Sequence, residues 1–363
     1  MRRITLLCSL LRIPIVLALP VCWCLLFAGC GGTGQGGTSI SNAPVVARPI
    51  QTPGPIQTPT YPGEAFINLA TGSSPTGIAA GPDGYLWFTE SAGSAVVKLS
   101  PITGHMSVYP TKTPRSGPGA ITAGPDGSMW FTEAGKIGKI TMSGVVSEFS
   151  IPTAGSVLSG IAAGPDGNVW FTEFVGMAGK IGKISPTGRI HEFAVPAGPT
   201  GIAAGPDGNM WYADGNIGKM TLDGRVTEYT VPGDDALQLA PGPDGNMWFT
   251  EFDNDWVGKI TPAGEITGLY PTSYPAEPNS ITTGPDGNLW FTESFWGIAK
   301  ISTNGTLREY DLRLNSPPPG CQCQGPPGAK YPAGNAGLAV GTDRNIWFTQ
   351  ELLSRIVKFP PNE

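Results

Sequence analysis

One repeated phrase constrains the fold of this 363-residue chain more than any other feature of its sequence. Its consensus is Gly-Pro-Asp-Gly, two further residues and then Trp-Phe-Thr-Glu. Successive copies begin 43, 40, 41, 37, 42 and 57 residues apart, the last one degenerate, at Gly81, Gly124, Gly164, Gly205, Gly242, Gly284 and Gly341. Periods near 40 residues that hold only strand-like segments are typical of propeller blades. The sequence therefore predicts an all-β fold, a propeller of seven blades.

Each repeat contains four segments with the pattern of a β-strand. The first is made of small and apolar residues, as in Gly77–Ala80, and suits a crowded centre. After a Pro-Asp-Gly turn comes a second strand such as Leu86–Glu90, then a third such as Lys136–Ile140 and a fourth such as Val145–Phe149. We expect the tryptophan of each second strand to fill the core between neighbouring blades.

The strand count predicts how the ring closes. The last repeat stops after its third strand, Arg355–Phe359, whereas an unassigned strand, Glu64–Leu69, precedes the first repeat. If the two pair, the last blade gains its fourth strand and two exposed sheet edges disappear.

The N-terminus reads as an export signal. Arg2 and Arg3 precede an apolar run that ends in Leu26-Phe27-Ala28-Gly29-Cys30, which resembles the bacterial lipobox. We predict a signal peptide over 1–29, a lipid on Cys30 and an exported lipoprotein anchored in the membrane of the bacterial cell envelope. An uncleaved transmembrane anchor is the alternative interpretation.

The rest of the chain divides into a tether and one domain. Residues 30–62 are rich in Gly, Pro and Thr, which predicts a spacer, and the propeller is expected over 63–363. The net charge of −6 and the absence of a basic stripe exclude nucleic acid as a partner, and we expect a monomer. Cys321 and Cys323, in an insertion over Asn315–Gly334, favour a local disulfide over a metal site.

The end of each second strand should share one face of the propeller with the loop that precedes the first strand, here called the leading loop. That face would carry a ring formed by Glu90, Glu133, Glu173, Asp214, Glu251 and Glu293, broken at Gln350. A repeated carboxylate is most simply part of the scaffold. Blade six differs, because its leading loop adds Glu277 close to Glu293. Two carboxylates beside a central channel predict a site for a hard cation such as Mg²⁺.

The repeats, with Trp-Phe-Thr-Glu followed by Gly-Lys-Ile-Gly-Lys-Ile, resemble the streptogramin B lyases, also called virginiamycin B lyases, over about 64–359. The resemblance implies a seven-bladed propeller and Mg²⁺-assisted elimination at the ester of a cyclic depsipeptide. It also implies a blade-six motif Glu-Pro-His and a second Glu sixteen residues beyond the first. Glu277-Pro278-Asn279 and Glu293 match this pattern in both metal-ligand positions.

The catalytic base is where the sequence departs from the family. Asn279 stands at the position of the catalytic His, and an amide cannot accept a proton at neutral pH. The family's substrate-binding His falls one blade earlier, at Leu237, or at Gln238 if a one-residue gap is allowed. The two histidines of the chain, His105 and His191, are predicted at outer strands, and Tyr270 or Tyr274 would need a strongly lowered pKa to replace the base.

Three functions remain open at this stage. We expect a non-catalytic propeller that binds an unknown ligand on the face carrying Glu277, with Leu237 and Asn279 as candidate ligand-binding residues. The alternative is a lyase that linearises a streptogramin or another cyclic ester with Mg²⁺. A third interpretation is a hydrolase like the lactonase propellers, which hold a cation in the channel.

Overall fold

The computed structural model of the protein describes residues 61–312 and 334–362. They form seven antiparallel sheets of four strands each, as the repeat predicted. The strands are, in chain order, β1 Ala65–Asn68, β2 Pro75–Ala80, β3 Leu86–Glu90, β4 Ala95–Leu99, β5 Met106–Pro110, β6 Ile121–Ala123, β7 Met129–Glu133, β8 Lys136–Ile140, β9 Val146–Ser150, β10 Val157–Ala163, β11 Val169–Val175, β12 Ala178–Ile184, β13 Ile190–Val195, β14 Ile202–Ala204, β15 Met210–Ala213, β16 Ile217–Met220, β17 Val226–Tyr229, β18 Ala236–Pro241, β19 Met247–Glu251, β20 Trp256–Ile260, β21 Ile266–Pro271, β22 Pro278–Thr283, β23 Leu289–Glu293, β24 Gly297–Ile301, β25 Leu307–Asp311, β26 Asn335–Val340, β27 Ile346–Gln350 and β28 Arg355–Phe359. A short 3-10 helix, Glu351–Leu353, lies between β27 and β28.

Blades one to six are consecutive sets of four strands, and their first strands contact one another around the axis. Blade seven has the order β1-β28-β27-β26, so the N-terminal strand supplies its outer edge. In the antiparallel register Ala65 pairs with Lys358 and Asn68 with Arg355. The predicted closure of the ring is confirmed, with the N-terminal strand shorter than expected because its two end residues lie outside the pairing.

The second-strand tryptophans pack between blades, as predicted. Trp290 of blade six, for example, belongs to one apolar cluster with Phe348 of blade seven and Phe66 of the closing strand. The structure adds a reason for the spacing of the repeat. In every blade the aspartate of the turn accepts a hydrogen bond from the indole nitrogen four residues later, at 2.9 Å between Asp286 and Trp290. The first glycine of the phrase is required because a Cβ at Gly284 would lie 2.2 Å from the indole.

Threonine hydroxyls join neighbouring blades near the axis. In blade five, for instance, Thr250 donates across the interface to a carbonyl of the blade-six first strand at 2.8 Å. A hydrogen bond of the same kind crosses six of the seven interfaces, including Thr349 to Thr76 between the last blade and the first. These bonds fix the first strands, and with them the residues that line the axis.

Several predictions fall on residues outside the described part of the chain. They are the signal peptide, the lipid on Cys30, nearly all of the tether, and Cys321 and Cys323 of the insertion. Among residues 61–312 and 334–362, no helix is long and apolar enough to cross a membrane.

Candidate functional site

Leu237 and Asn279 occupy the same position in the first strands of blades five and six. The carbonyl of Asn279 accepts the bond from Thr250, and the carbonyl of Leu237 accepts one from Thr200 at 2.7 Å. The backbone nitrogens of Gln238 and Ser280 each donate to the second-strand threonine of their own blade, Thr250 and Thr292. Leu237, rather than the residue after it, is therefore the blade-five counterpart of Asn279. Both side chains are half-buried, and their role in binding a ligand stays a prediction.

A cavity of about 150 Å³ lies on the axis, lined by the first strands. Glycine, alanine, isoleucine and leucine line it in the other blades, whereas blades five and six contribute Gln238 and Ser280. These two polar residues directly follow Leu237 and Asn279 in the chain. The polarity of the channel is thus concentrated where the sequence placed the candidate site.

The leading loop of blade six is held by a carboxylate of blade five. Asp255 Oδ1 accepts hydrogen bonds from the backbone nitrogens of Ala276, at 2.6 Å, and Glu277, at 2.7 Å. Glu277 takes a left-handed conformation, with φ of 53°, and its carbonyl accepts a bond from the nitrogen of Ser294 at 3.1 Å. The loop therefore fixes the backbone of Glu277 against the turn that follows Glu293.

Glu293 ends the second strand of blade six, opposite Pro278 in the register. Its side chain has 0% exposure, and neither carboxylate oxygen has a hydrogen-bond partner among the described residues. Burial raises the pKa of Glu293 well above its usual value, and the carboxylates of Glu309 and Asp255 raise it further. Burying a carboxylate without a hydrogen-bond donor costs free energy. Among the described residues, Glu293 therefore gives the strongest indication of a site for a ligand or a cation.

Comparison between the blades explains why Glu293 lacks a donor. In blades two and three a serine seventeen residues earlier donates to the equivalent glutamate, Ser116 to Glu133 at 3.2 Å and Ser156 to Glu173 at 2.8 Å. The residue at that position in blade six is Ala276, which is fully buried. In blades two and three the carboxylates of the ring are thus hydrogen-bonded within their own blade, as expected for residues that stabilise the fold. The blade-six glutamate lacks this bond.

Carboxylates crowd the junction of blades five and six, and their pKa values are raised. Burial raises the pKa of Glu277 to about 7, with further contributions from Asp253 and Asp255. Burial and Asp235 raise the pKa of Glu251 to about 7. Burial, followed by the repulsion of Asp253, raises the pKa of Asp235 to about 6. This arrangement favours a cationic ligand or a cation, which would relieve the repulsion.

The sequence reasoning did not identify Asp255, Ser273 or Glu309 as parts of this junction. The signal for Asp255 was available, because three polar residues, 253–255, fill one hairpin turn. Glu309 lies on the outer strand β25 and contacts the leading loop through Ser273, whose backbone nitrogen and hydroxyl donate to it at 2.6 and 2.5 Å. That approach depends on the fold of the loop, which local sequence does not reveal.

No histidine lies at the junction among the described residues. His105 is exposed in the turn before β5, and His191 is exposed on β13, where its ring packs edge-on against Phe193. Both positions agree with the prediction of outer strands. Tyr270 stacks on Trp248 inside the sheet packing, and Tyr274 is 85% exposed on the leading loop.

Glu277 and Glu293 agree in chemistry with the predicted Mg²⁺ site, since hard cations prefer carboxylate oxygens. Both oxygens of Glu293 are buried and have no hydrogen-bond partner among the described residues. Within 61–312 and 334–362, however, no group of three or more His, Cys, Asp or Glu side chains is arranged to hold a metal. Water or ligand oxygens would have to complete the coordination of an ion there.

The fold and this junction define a class: seven-bladed propellers with buried carboxylates in blade six. The Virginiamycin B lyase family model matches residues 60–197 and 177–331. The chain belongs to that family. Comparison with curated proteins gives no match.

Solved structures of the family match most of the chain. A streptogramin B lyase structure has 31% identity and a TM-score of 0.70, covering 81% of this chain and 96% of that one. Virginiamycin B lyase from Staphylococcus aureus has 32% identity and a TM-score of 0.70, with 81% and 98% covered. A catalytically inactive histidine-to-alanine variant of the S. aureus lyase, crystallised with quinupristin, has 30% identity, the same TM-score and the same coverage. The family and fold predicted from the repeat are confirmed.

Proposed function

We propose that this protein is a binding propeller of the lyase family that does not catalyse the elimination. Its ligand binds at the junction of blades five and six, over the axial cavity that Gln238 and Ser280 line. The observation that carries the proposal is Asn279, which stands in blade six where the family motif has its catalytic histidine. A related lyase from S. aureus is catalytically inactive as a histidine-to-alanine variant, which supports the need for that side chain.

Among residues 61–312 and 334–362, no histidine near Asn279 replaces the missing base. The histidines are exposed at the outer strands of blades one and three. Glu277 has a pKa raised to about 7, but the family pattern assigns its position to the metal rather than to the proton. A general base must reach the proton it removes, and a metal ligand in that role would lose its coordination.

The location of the protein follows from the N-terminal sequence. We propose that it is exported and anchored to the membrane of the cell envelope through a lipid on Cys30. The tether then holds the propeller away from the bilayer. A binding protein in this setting acts as a monomeric receptor or scaffold for a ligand outside the cell, and its charge disfavours nucleic acid.

A second candidate function is a Mg²⁺-dependent C–O lyase acting on a streptogramin-type cyclic depsipeptide or another cyclic ester. The unpartnered oxygens of Glu293 favour it. Glu277 and Glu293 would hold the ion, which would polarise the ester as a Lewis acid. The chain itself would position the substrate through Leu237, Asn279 and the polar side of the channel.

Incubation of the purified protein with a streptogramin B and Mg²⁺ tests the two candidates. The binding function predicts an intact ring after incubation, whereas linearisation that is lost in Glu277→Ala would establish the lyase.

A further inference from the structure

Blades two and three contain a repeated set of three residues that holds an ammonium group, here called the ammonium cradle. In blade two the backbone nitrogen and hydroxyl of Thr113, in the leading loop, donate to Glu148 of the fourth strand at 2.8 and 2.6 Å. Lys136, at the start of the third strand, places its ammonium 2.9 Å from Glu148 and also on the Thr113 hydroxyl. The lysine thus neutralises a carboxylate that is largely buried.

Blade three builds the same cradle from other residues. Thr153 donates to Glu192 through its nitrogen and hydroxyl at 3.2 and 2.7 Å, and the ammonium of Lys180 lies 2.6 Å from Glu192. The two lysine side chains are 29% and 37% exposed. An ammonium group in such a cradle is therefore reached from the surface of the propeller.

Blade six keeps the oxygen atoms of the cradle and lacks the lysine. Ser273 donates to Glu309 through its nitrogen and hydroxyl at 2.6 and 2.5 Å, as the threonines do in the other blades. The residue opposite the second-strand glutamate is Lys136 in blade two and Lys180 in blade three, but Gly297 in blade six. No described lysine or arginine forms an ion pair with Glu309.

Blade four shows another way to satisfy the same carboxylate. Glu228, the counterpart of Glu309, accepts a hydrogen bond from the hydroxyl of Tyr212. In blade six the position of Tyr212 is Phe291. Four blades have a glutamate at this position of the fourth strand. Among the described residues, the glutamate of blade six is the one of the four that is bound by neither a lysine nor a tyrosine.

Glu293 gives an independent sign that a cation belongs here. It has 0% exposure, both of its oxygens lack a partner among the described residues, and after burial Glu309 is the main group that raises its pKa. In blades two and three the equivalent glutamates lie beside the cradle lysine, which lowers their pKa in opposition to burial. Blade six has the carboxyl groups of this arrangement without the lysine.

We propose that the blade-six cradle, formed by Ser273 and Glu309 beside Glu293, binds the primary ammonium group of the protein's ligand. This inference rests on the proposed binding function and names the chemistry of its ligand. An ammonium group has three donors, enough for the Ser273 hydroxyl, Glu309 and one further oxygen. A quaternary ammonium has none, so the cradle discriminates against it. The group is either a free alkylamine or a lysine side chain of a polypeptide.

The test is a titration monitored by NMR. The signal observed is the backbone amide of Ser273, whose nitrogen donates to Glu309. The full propeller is titrated in EDTA with n-butylamine hydrochloride, while tetramethylammonium chloride keeps the ionic strength constant. We expect a saturable shift of the Ser273 signal with n-butylamine and none with tetramethylammonium alone. The same titration with a blocked lysine amide separates the two sources, since a polypeptide ligand predicts tighter binding of the lysine derivative.

Matched variants use the repeats as internal controls. Glu309→Gln should weaken amine binding by about tenfold or more because it removes the charge that the ammonium pairs with. Glu192→Gln in the blade-three cradle, where Lys180 is already present, should leave it unchanged. Lys180→Met should create a second amine site, visible as a new saturable shift at Thr153.

An unchanged Ser273 signal throughout the millimolar range would overturn the proposal, as would equal binding by wild type and Glu309→Gln. A folded Lys180→Met protein that gains no site would also contradict it, because the cradle would then not suffice for an amine. The proposed function fails on a different observation, namely linearisation of a streptogramin, so failure of one can be told from failure of the other.

Discussion

The hydroxyl of Thr250 donates to the backbone carbonyl of Asn279 at 2.8 Å, across the interface between blades five and six. One interface earlier the carbonyl of Leu237 also accepts a threonine hydroxyl, from Thr200 just before the first strand of blade four, at 2.7 Å. These bonds use only the carbonyls, so they fix the backbone at both positions whatever side chains stand there. The scaffold for a histidine at each position is therefore kept, although the histidines are absent.

This relationship predicts that lyase chemistry can be installed by adding the two histidines. The double variant Leu237→His, Asn279→His should acquire Mg²⁺-dependent linearisation of a streptogramin B, measured by mass spectrometry of the opened ring. A positioned general base contributes about 10²- to 10⁴-fold to a rate, so Leu237→His with Asn279→Ala is the matched control and should remain inactive. A folded double variant without turnover would mean that the pocket, and not only the base, has changed.

Closure of the ring by β1 should account for a large part of the stability. Phe66 of β1 is buried, with 8% exposure, in the cluster that contains Trp290 and Phe348. Phe66→Ala should lower the free energy of unfolding by about 3 to 5 kcal/mol, measured by chemical denaturation. Val145→Ala, at a side chain with 61% exposure, should change it by less than about 0.5 kcal/mol. A loss no larger than in this control would show that the closing strand is dispensable.

The buried carboxylates predict an unusual dependence of stability on pH. Burial raises the pKa of Glu133, Glu173 and Glu251 to about 7, from a usual value of 4.5. The folded state therefore holds these protons more tightly than the unfolded chain does. The resulting stability is complete below about pH 4.5 and is lost as the pH rises to about 7. Thermal unfolding in EDTA should give a higher midpoint at pH 5 than at pH 8.

The turn aspartates act in the opposite sense but in another pH range. Hydrogen bonds and the facing lysines overcome burial to lower the pKa of Asp83 and Asp126 below 3.8. Their contribution is present above that value and is lost only in stronger acid. The interval from pH 5 to pH 8 therefore reports the buried carboxyl groups with raised pKa, the glutamates together with Asp235, and not the turn aspartates. Glu251→Gln should reduce the slope there, and a midpoint that rises with pH would contradict the assignment.

Magnesium should bind to the native protein through the carboxylates of blade six. A ligand that binds only the folded state raises the unfolding midpoint in proportion to its occupancy. We expect Mg²⁺ to raise the midpoint of the wild type and to have no effect on Glu293→Gln. Glu133→Gln, at the equivalent residue of blade two, is the matched control and should keep the response. An equal response of all three proteins would place the ion elsewhere.

The sequence predicted the fold in detail and the site in part. The repeat defined the number of blades, and the strand count predicted the pairing of Glu64–Leu69 with Arg355–Phe359, because propeller closure depends on simple periodicity. The observed strand is Ala65–Asn68. Glu277 and Glu293 stood out since blade six departs from the repeat. Glu309 was not found because its approach to Ser273 depends on the path of the leading loop. The missing donor of Glu293 became visible only when Ala276 was aligned in space with the serines of other blades.

The proposal that the protein binds a ligand without lyase activity is tested most directly by a single assay. Purified wild-type propeller is incubated with a streptogramin B and excess Mg²⁺ beside an active family lyase, and the opened ring is quantified by mass spectrometry. We expect no linear product from the wild-type protein above the level of buffer alone. Linear product that forms with wild type and disappears with Glu277→Ala would contradict it.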